Sequence, residues 1–134
     1  MLEGKHAIVI GGGSGIGLGT ARLLARDGAT VTIAGRTESK LHEASAELSD
    51  EGLHVRTATC DALRADDVRD AVDAASDEGR LDIAVVVPGG GSYSPVLLYG
   101  DDQFSAEVDL NVRPVFLLLK YSGQIGRASC RERV

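Results

Sequence analysis

Ile10-Gly11-Gly12-Gly13-Ser14-Gly15-Ile16-Gly17 is the stretch whose reading decides the fold. The apolar run His6-Ala7-Ile8-Val9-Ile10 leads into it, and a helical pattern from Leu18 to Arg26 follows. The order is strand, glycine turn, helix. A glycine cluster alone is a weak signal, and its place between a strand and a helix gives it meaning. Glycine backbones turn with positive φ and present no Cβ to a ligand. The helix start adds N–H groups without intrahelical partners and the positive end of a dipole, which together suit a phosphate. A tight turn that binds nothing is the plainer reading, but it needs fewer glycines than stand here.

Outward from this turn, strands and helices alternate. The first helix spans 15–27 and closes at Asp27-Gly28, where a glycine suits a helix C-terminus. Ala29-Thr30-Val31-Thr32-Ile33-Ala34 is rich in β-branched residues and reads as the second strand. Thr37 is placed to cap a helix that carries Leu41, Ala44, Ala46 and Leu48 and stops near Gly52. Residues 53–58 alternate as a third strand, and a helix over about 65–77 carries Val68, Ala71, Val72 and Ala75 at helical spacing. Residues 81–87 form a fourth strand whose unbroken apolar run predicts burial on both faces. A loop at 88–95 leads to a last helix from about Asp102 to Tyr121. This alternation predicts right-handed crossovers and a parallel, doubly wound α/β sheet of Rossmann type. The strand order follows as 3-2-1-4, truncated after the fourth strand and its helix. The fourth strand is then an apolar, unpaired edge.

With 134 residues, 43% hydrophobic and 25% charged, the chain suits one soluble domain. No run is long and apolar enough to cross a membrane, and residues 1–5 show no secretory pattern, so the expected location is cytoplasmic. A net charge of −6 argues against nucleic acid as a partner. Two cysteines, Cys60 and Cys130, show neither disulfide context nor metal-ligand spacing, so no metal is expected.

The turn resembles that of the short-chain dehydrogenase/reductase family, TGxxxGxG, with Gly11, Gly15 and Gly17 matching and Ile10 where threonine is usual. The resemblance covers roughly residues 2–123 and implies an NAD(P)-dependent oxidoreductase that moves hydride between cofactor and a carbonyl or alcohol. It places Gly11, Gly13, Ser14, Gly15, Ile16 and Gly17 around the diphosphate. Asp61, flanked by Cys60 and Ala62, matches the aspartate that holds the adenine amino group; an N-cap for the next helix is the other reading. At the end of the second strand, Gly35 stands where an acid would bind the ribose 2′-hydroxyl, with Arg36 and Thr37 beside it. A guanidinium matches phosphate geometry, which predicts NADP over NAD; a solvated surface arginine is the alternative. Residues 81–89 align with the family's LDxLVNNAG, but Val86-Val87-Pro88 replaces Asn-Asn-Ala, so contact through Pro88, Gly89 and Gly90 is expected to run through backbone. Asn111 matches the helix asparagine that supports a proton relay, a supporting catalytic role; a polar helix-face residue is the alternative. Pro114, three residues on, predicts a kink that frees backbone carbonyls for water.

The resemblance also implies a catalytic serine and a YxxxK pair, with tyrosine as acid or base and lysine lowering its pKa. The residues four places after Tyr93, Tyr99 and Tyr121 are Leu97, Gln103 and Ile125. The 134 residues are therefore expected to hold half a dinucleotide site and to be inactive as written. A non-catalytic NADP-binding sensor is the competing reading. Family members form dimers or tetramers, which implies a homo-oligomer and a small-molecule substrate shaped elsewhere. After Gly123 the composition shifts, and residues 125–134 resemble the translation of a common short-read sequencing adapter, with Gln124 at the junction. The expected native segment is therefore 1–123, and resequencing the locus with adapters trimmed tests this.

Overall fold

A computed structural model describes residues 1–131, with side-chain surroundings through Ile125. The elements are β1 (His6–Ile10), α1 (Gly15–Arg26), β2 (Thr30–Gly35), α2 (Glu38–Asp50), β3 (Val55–Thr59), α3 (Ala65–Ala75), β4 (Ile83–Val86) and α4 (Asp101–Arg131). A single 3-10 turn, Val96–Leu98, precedes α4. The sheet order is β3-β2-β1-β4, and every pairing is parallel. Ile8 pairs with Thr32 on one side and Ala84 on the other, so β1 is central.

Alternation along β1 divides the core. Ala7 and Val9 face one layer with Val31 and Ile33, and α1 and α2 close over it through Ala21, Leu41 and Ala44. Ile8 and Ile10 face the other layer with Ala34, covered by Val68, Ala71 and Val72 of α3 and by Leu117 and Leu118 of α4. Period-two side chains on a strand sandwiched between helices call for apolar residues on both faces, which Ala7 to Ile10 of β1 supply. α1 ends at Asp27, and Gly28 follows with φ +97°, the left-handed turn expected there.

Several sequence expectations change. β4 is three residues shorter than the expected strand 81–87, and it is only half-buried, with Ala84 exposed. Its outer edge has no neighbouring strand, so burial on both faces fails for want of one. Thr37 occupies the N-cap position of α2, but its side chain makes no capping bond. The last helix extends ten residues past Tyr121 and continues through Pro114 without interruption. The proline ring removes the N–H that would reach the Leu110 carbonyl, and Leu117 and Leu118, one turn further on, pack against the core. The adapter-like stretch thus begins inside α4, and Ile125 packs on the core. The structure of 132–134 and the side chains of 126–131 lie outside the described residues. No described helix is long and apolar enough to cross a membrane.

Candidate functional site, a cavity at the carboxyl ends of the strands

The carboxyl ends of all four strands open into a cavity of about 430 Å3. This is where open parallel sheets bind ligands, at the point where strand order reverses. β1 runs inward to Ile10, and the glycine turn then folds back on β2, with Gly11 and Gly12 both donating to the Ala34 carbonyl, at 2.8 and 3.3 Å. A Cβ at Gly17 would stand 1.9 Å from the Gly11 carbonyl oxygen, so α1 can sit this close to its own turn only without a side chain there. Gly15 has φ +53°, a backbone that L side chains rarely adopt, and space around it is open. Gly11, Gly13, Ser14, Gly15 and Ile16 line the cavity. The first turn of α1 carries no acid, and the Ser14 side chain makes no capping bond. Its leading N–H groups therefore meet the cavity without a competing carboxylate.

The second wall is the β2–α2 junction: Gly35, Arg36, Thr37, Lys40 and Leu41. Arg36 and Lys40 are both exposed, and neither makes an ion pair among the described residues. The third wall follows β3. The Cys60 N–H donates to the Gly35 carbonyl at 2.8 Å. Burial first, then the charges of Asp67 and Asp61, push the Cys60 thiol up to about 12, so it stays protonated and is no nucleophile. The Asp61 N–H donates to Asp67 Oδ2 at 2.9 Å, and Asp61 Oδ1 accepts from the Leu63 N–H at 3.0 Å. Asp61 is thus fixed as a turn residue while Arg64 takes the N-cap of α3. Among the described residues, Asp61 Oδ2 has no hydrogen-bond partner and the residue lines the cavity.

The family profile described as short chain dehydrogenase matches residues 5–123. The chain belongs to this family. It is 35% identical over 127 residues to "Short chain aldehyde dehydrogenase 1" of Euphorbia lathyris, an alignment covering 92% of this chain and 44% of that one. A short-chain type dehydrogenase/reductase from Mycobacterium ulcerans superposes with a TM-score of 0.84 at 34% identity, covering 92% of this chain and 46% of that one. A short chain dehydrogenase from Burkholderia cenocepacia, solved in complex with NADP, gives 0.79 at 30% identity, with 92% and 51% covered. The chain spans about half the length of the relatives it matches.

The fourth wall departs from the short-chain dehydrogenase pattern most. Val86, Val87, Pro88 and Gly89 line the cavity, and the Val87 N–H donates to the Ile10 carbonyl at 2.9 Å. Valines there fill space and offer no side-chain hydrogen bonds. Asn111 reaches the same loop from α4: its Nδ2 donates to the Gly90 carbonyl at 3.1 Å and to the Glu107 carbonyl at 2.9 Å. Glu107 accepts from both the N–H and the Oγ of Ser92, each at 2.6 Å. Those two donors and the Tyr99 hydroxyl hold the Glu107 carboxyl below the usual range, and Glu107 in turn pushes the Tyr99 phenol up. Two consecutive turns of α4 therefore clip the loop that forms this wall.

Of the residues singled out in the sequence, the structure brings Gly11, Gly13, Ser14, Gly15, Ile16, Arg36, Thr37, Cys60, Asp61, Ala62, Pro88 and Gly89 to one cavity. Gly17, Gly90 and Asn111 lie behind its walls. Gly17 is where helix and turn touch, and Asn111 acts on Gly90 through the loop backbone. Lys40, Leu63, Leu110 and Pro114 line it too. Lys40 is not singled out in the sequence, where its four-residue spacing from Arg36 is the one signal that could find it. Leu110 and Pro114 arrive by tertiary packing of α4, which no local pattern announces.

Proposed function

We propose that this chain is the dinucleotide-binding part of an NADP-dependent oxidoreductase that transfers hydride between the nicotinamide and a carbonyl or alcohol. One observation carries this: a glycine turn and an unpaired Arg36 face the same strand-end cavity, with Gly35 where an acid would repel a 2′-phosphate. The residues fit the group. The α1 start, without acid, suits the diphosphate, and Arg36 offers a planar fork to the 2′-phosphate. The free oxygen of Asp61 suits an adenine amino group, and Gly89 leaves open space for the ribose. When bound, the cofactor would supply hydride to a carbonyl or accept it from an alcohol. The chain's own residues bind and orient it, and Asn111 holds the loop at the nicotinamide end. No residue beyond Pro114 enters this reading.

Calorimetric titration of the complete gene product with NADP and NAD tests it. NADP is expected to bind tighter, and Arg36→Ala is expected to remove that preference at a cost of about tenfold in NADP affinity, as for a charge-assisted pair. Tighter NAD binding, unaltered by Arg36→Ala, overturns it. A second reading is a non-catalytic NADP sensor, favoured by Val86-Val87-Pro88 and by Leu97, Gln103 and Ile125 in the lysine positions after the three tyrosines. NADPH consumption by the complete gene product with a panel of carbonyl compounds separates the two.

A further inference from the structure

We propose that Glu107 is a positioning residue for the nicotinamide half of the dinucleotide, tying the loop after β4 into the cavity's fourth wall; this rests on the dinucleotide reading above. Gln103, Glu107 and Asn111 recur every four residues and so form one polar stripe along α4. The loop lies against that stripe. From Pro88 to Ser94 it makes no backbone–backbone hydrogen bond among the described residues. Two side chains of α4 hold its backbone instead. Asn111 Nδ2 donates to the Gly90 carbonyl at 3.1 Å, and Glu107 accepts the Ser92 N–H at 2.6 Å. The same Glu107 oxygen accepts the Ser92 hydroxyl at 2.6 Å, while Gln103 Nε2 donates to the Ser92 Oγ. The one hydroxyl hydrogen of Ser92 is therefore committed to the carboxylate. Gly90 has φ +148°, and a Cβ there would run into Leu110 Cδ2, so the backbone passes close over α4. Pro88 and Gly89, which line the cavity, immediately precede these tied residues. Val86, Val87 and Pro88 bring no side-chain donor or acceptor that could do the same work.

Strand order assigns the ends of the ligand. The glycine turn after the central β1 takes the diphosphate, and the adenosine lies toward β2 and β3, where Arg36 and Asp61 stand. β4 flanks β1 on the other side, so its loop is the wall of the nicotinamide half. A loop this sparsely bonded must be ordered before it can receive a ligand, and the carboxylate orders it in advance.

The complete gene product and its Glu107→Ala and Glu107→Gln variants are titrated with NADP and with adenosine 2′,5′-bisphosphate, which reaches only the adenosine side. Amide exchange at Ser92 is followed without ligand. Glu107→Ala is expected to weaken NADP about tenfold, the loss that follows when an untied loop holds its place about a tenth of the time. Adenosine 2′,5′-bisphosphate is expected to bind all of them alike. Glu107→Gln keeps an oxygen for the Ser92 N–H and is expected to recover most of the loss. Exchange at Ser92 is expected to quicken in Glu107→Ala and to stay slow in Glu107→Gln. Unchanged exchange in Glu107→Ala overturns the tie itself. Quickened exchange with undiminished NADP affinity overturns the positioning role and leaves the dinucleotide reading standing. An equal loss for both ligands also overturns it, because the carboxylate would then be supporting the fold at large. A complete gene product that binds neither ligand overturns the dinucleotide reading, and this proposal with it.

Discussion

The glycines of the turn separate into two kinds when each is asked what a methyl group would meet. At Gly17 it would strike the Gly11 carbonyl oxygen at 1.9 Å, backbone against backbone. Gly17→Ala is therefore expected to cost about 3 kcal/mol, the upper end of overpacking, read as a lowered midpoint in urea unfolding of the complete gene product. At Gly13 the nearest atom is Leu41 Cδ2 at 3.5 Å, an ordinary contact. Gly13→Ala is expected to leave the midpoint nearly unchanged and to weaken dinucleotide binding, because Gly13 lines the cavity and an added methyl narrows it. The two variants thus divide by observable, one in stability and one in titration. A shared loss of stability would remove that division. The sequence shows both glycines equally well. Which of them touches protein is decided by the approach of α1 to β1, and that approach appears only in three dimensions.

Strand β4 depends on β1 for its place, and Asp82 makes the joint. Its Oδ2 accepts the His6 N–H at 2.9 Å, and its own N–H donates to the His6 carbonyl at 2.9 Å. The His6 N–H foremost, then Lys5 and Arg80, hold the Asp82 carboxyl below the usual carboxylate range. A depressed folded-state pKa means stability that is complete above the unfolded value, near pH 4, and lost as pH falls through the folded one. Asp82→Asn is accordingly expected to lower the unfolding free energy at neutral pH, with the gap to the unaltered protein closing in acid. A gap that persists unchanged at low pH would contradict the assignment. The alternation of strands and helices, and with it the order β3-β2-β1-β4, was legible because each element carries its own period. The Asp82 joint was not, since it links residues 76 apart. The same holds for Glu107 and Ser92, where a helix carboxylate grips a loop that reads as plain turn chemistry. Thr37 misled in the other direction: it has the right residue type for a cap and makes no capping bond.

For the molecule as a whole, a large share of the exposed apolar surface lies along β4 and α4. β4 is a sheet edge, and on α4 Val112, Phe116 and Leu119 are 58, 59 and 68% exposed. Phe104 and the Val96–Leu98 turn add to it. Apolar area of this kind together with a free strand edge drives association. The 134-residue chain expressed alone is expected to elute as oligomers or aggregates and to bind an apolar dye; a sharp melt as a monomer would refute this. On the α1–α2 side, Arg22 and Arg26 both pair with Glu51, at 2.8 Å each. Between these sides lies Gly35, where a β-carbon would meet only Leu41 Cδ2 at 3.5 Å. Folding places no veto on that position. Under the proposed reading, the choice between the biosynthetic and the catabolic reducing pool is written at a site that the architecture leaves blank. A lineage can therefore migrate from one pool to the other by acquiring a single carboxylate there, without disturbing anything that holds the sheet together.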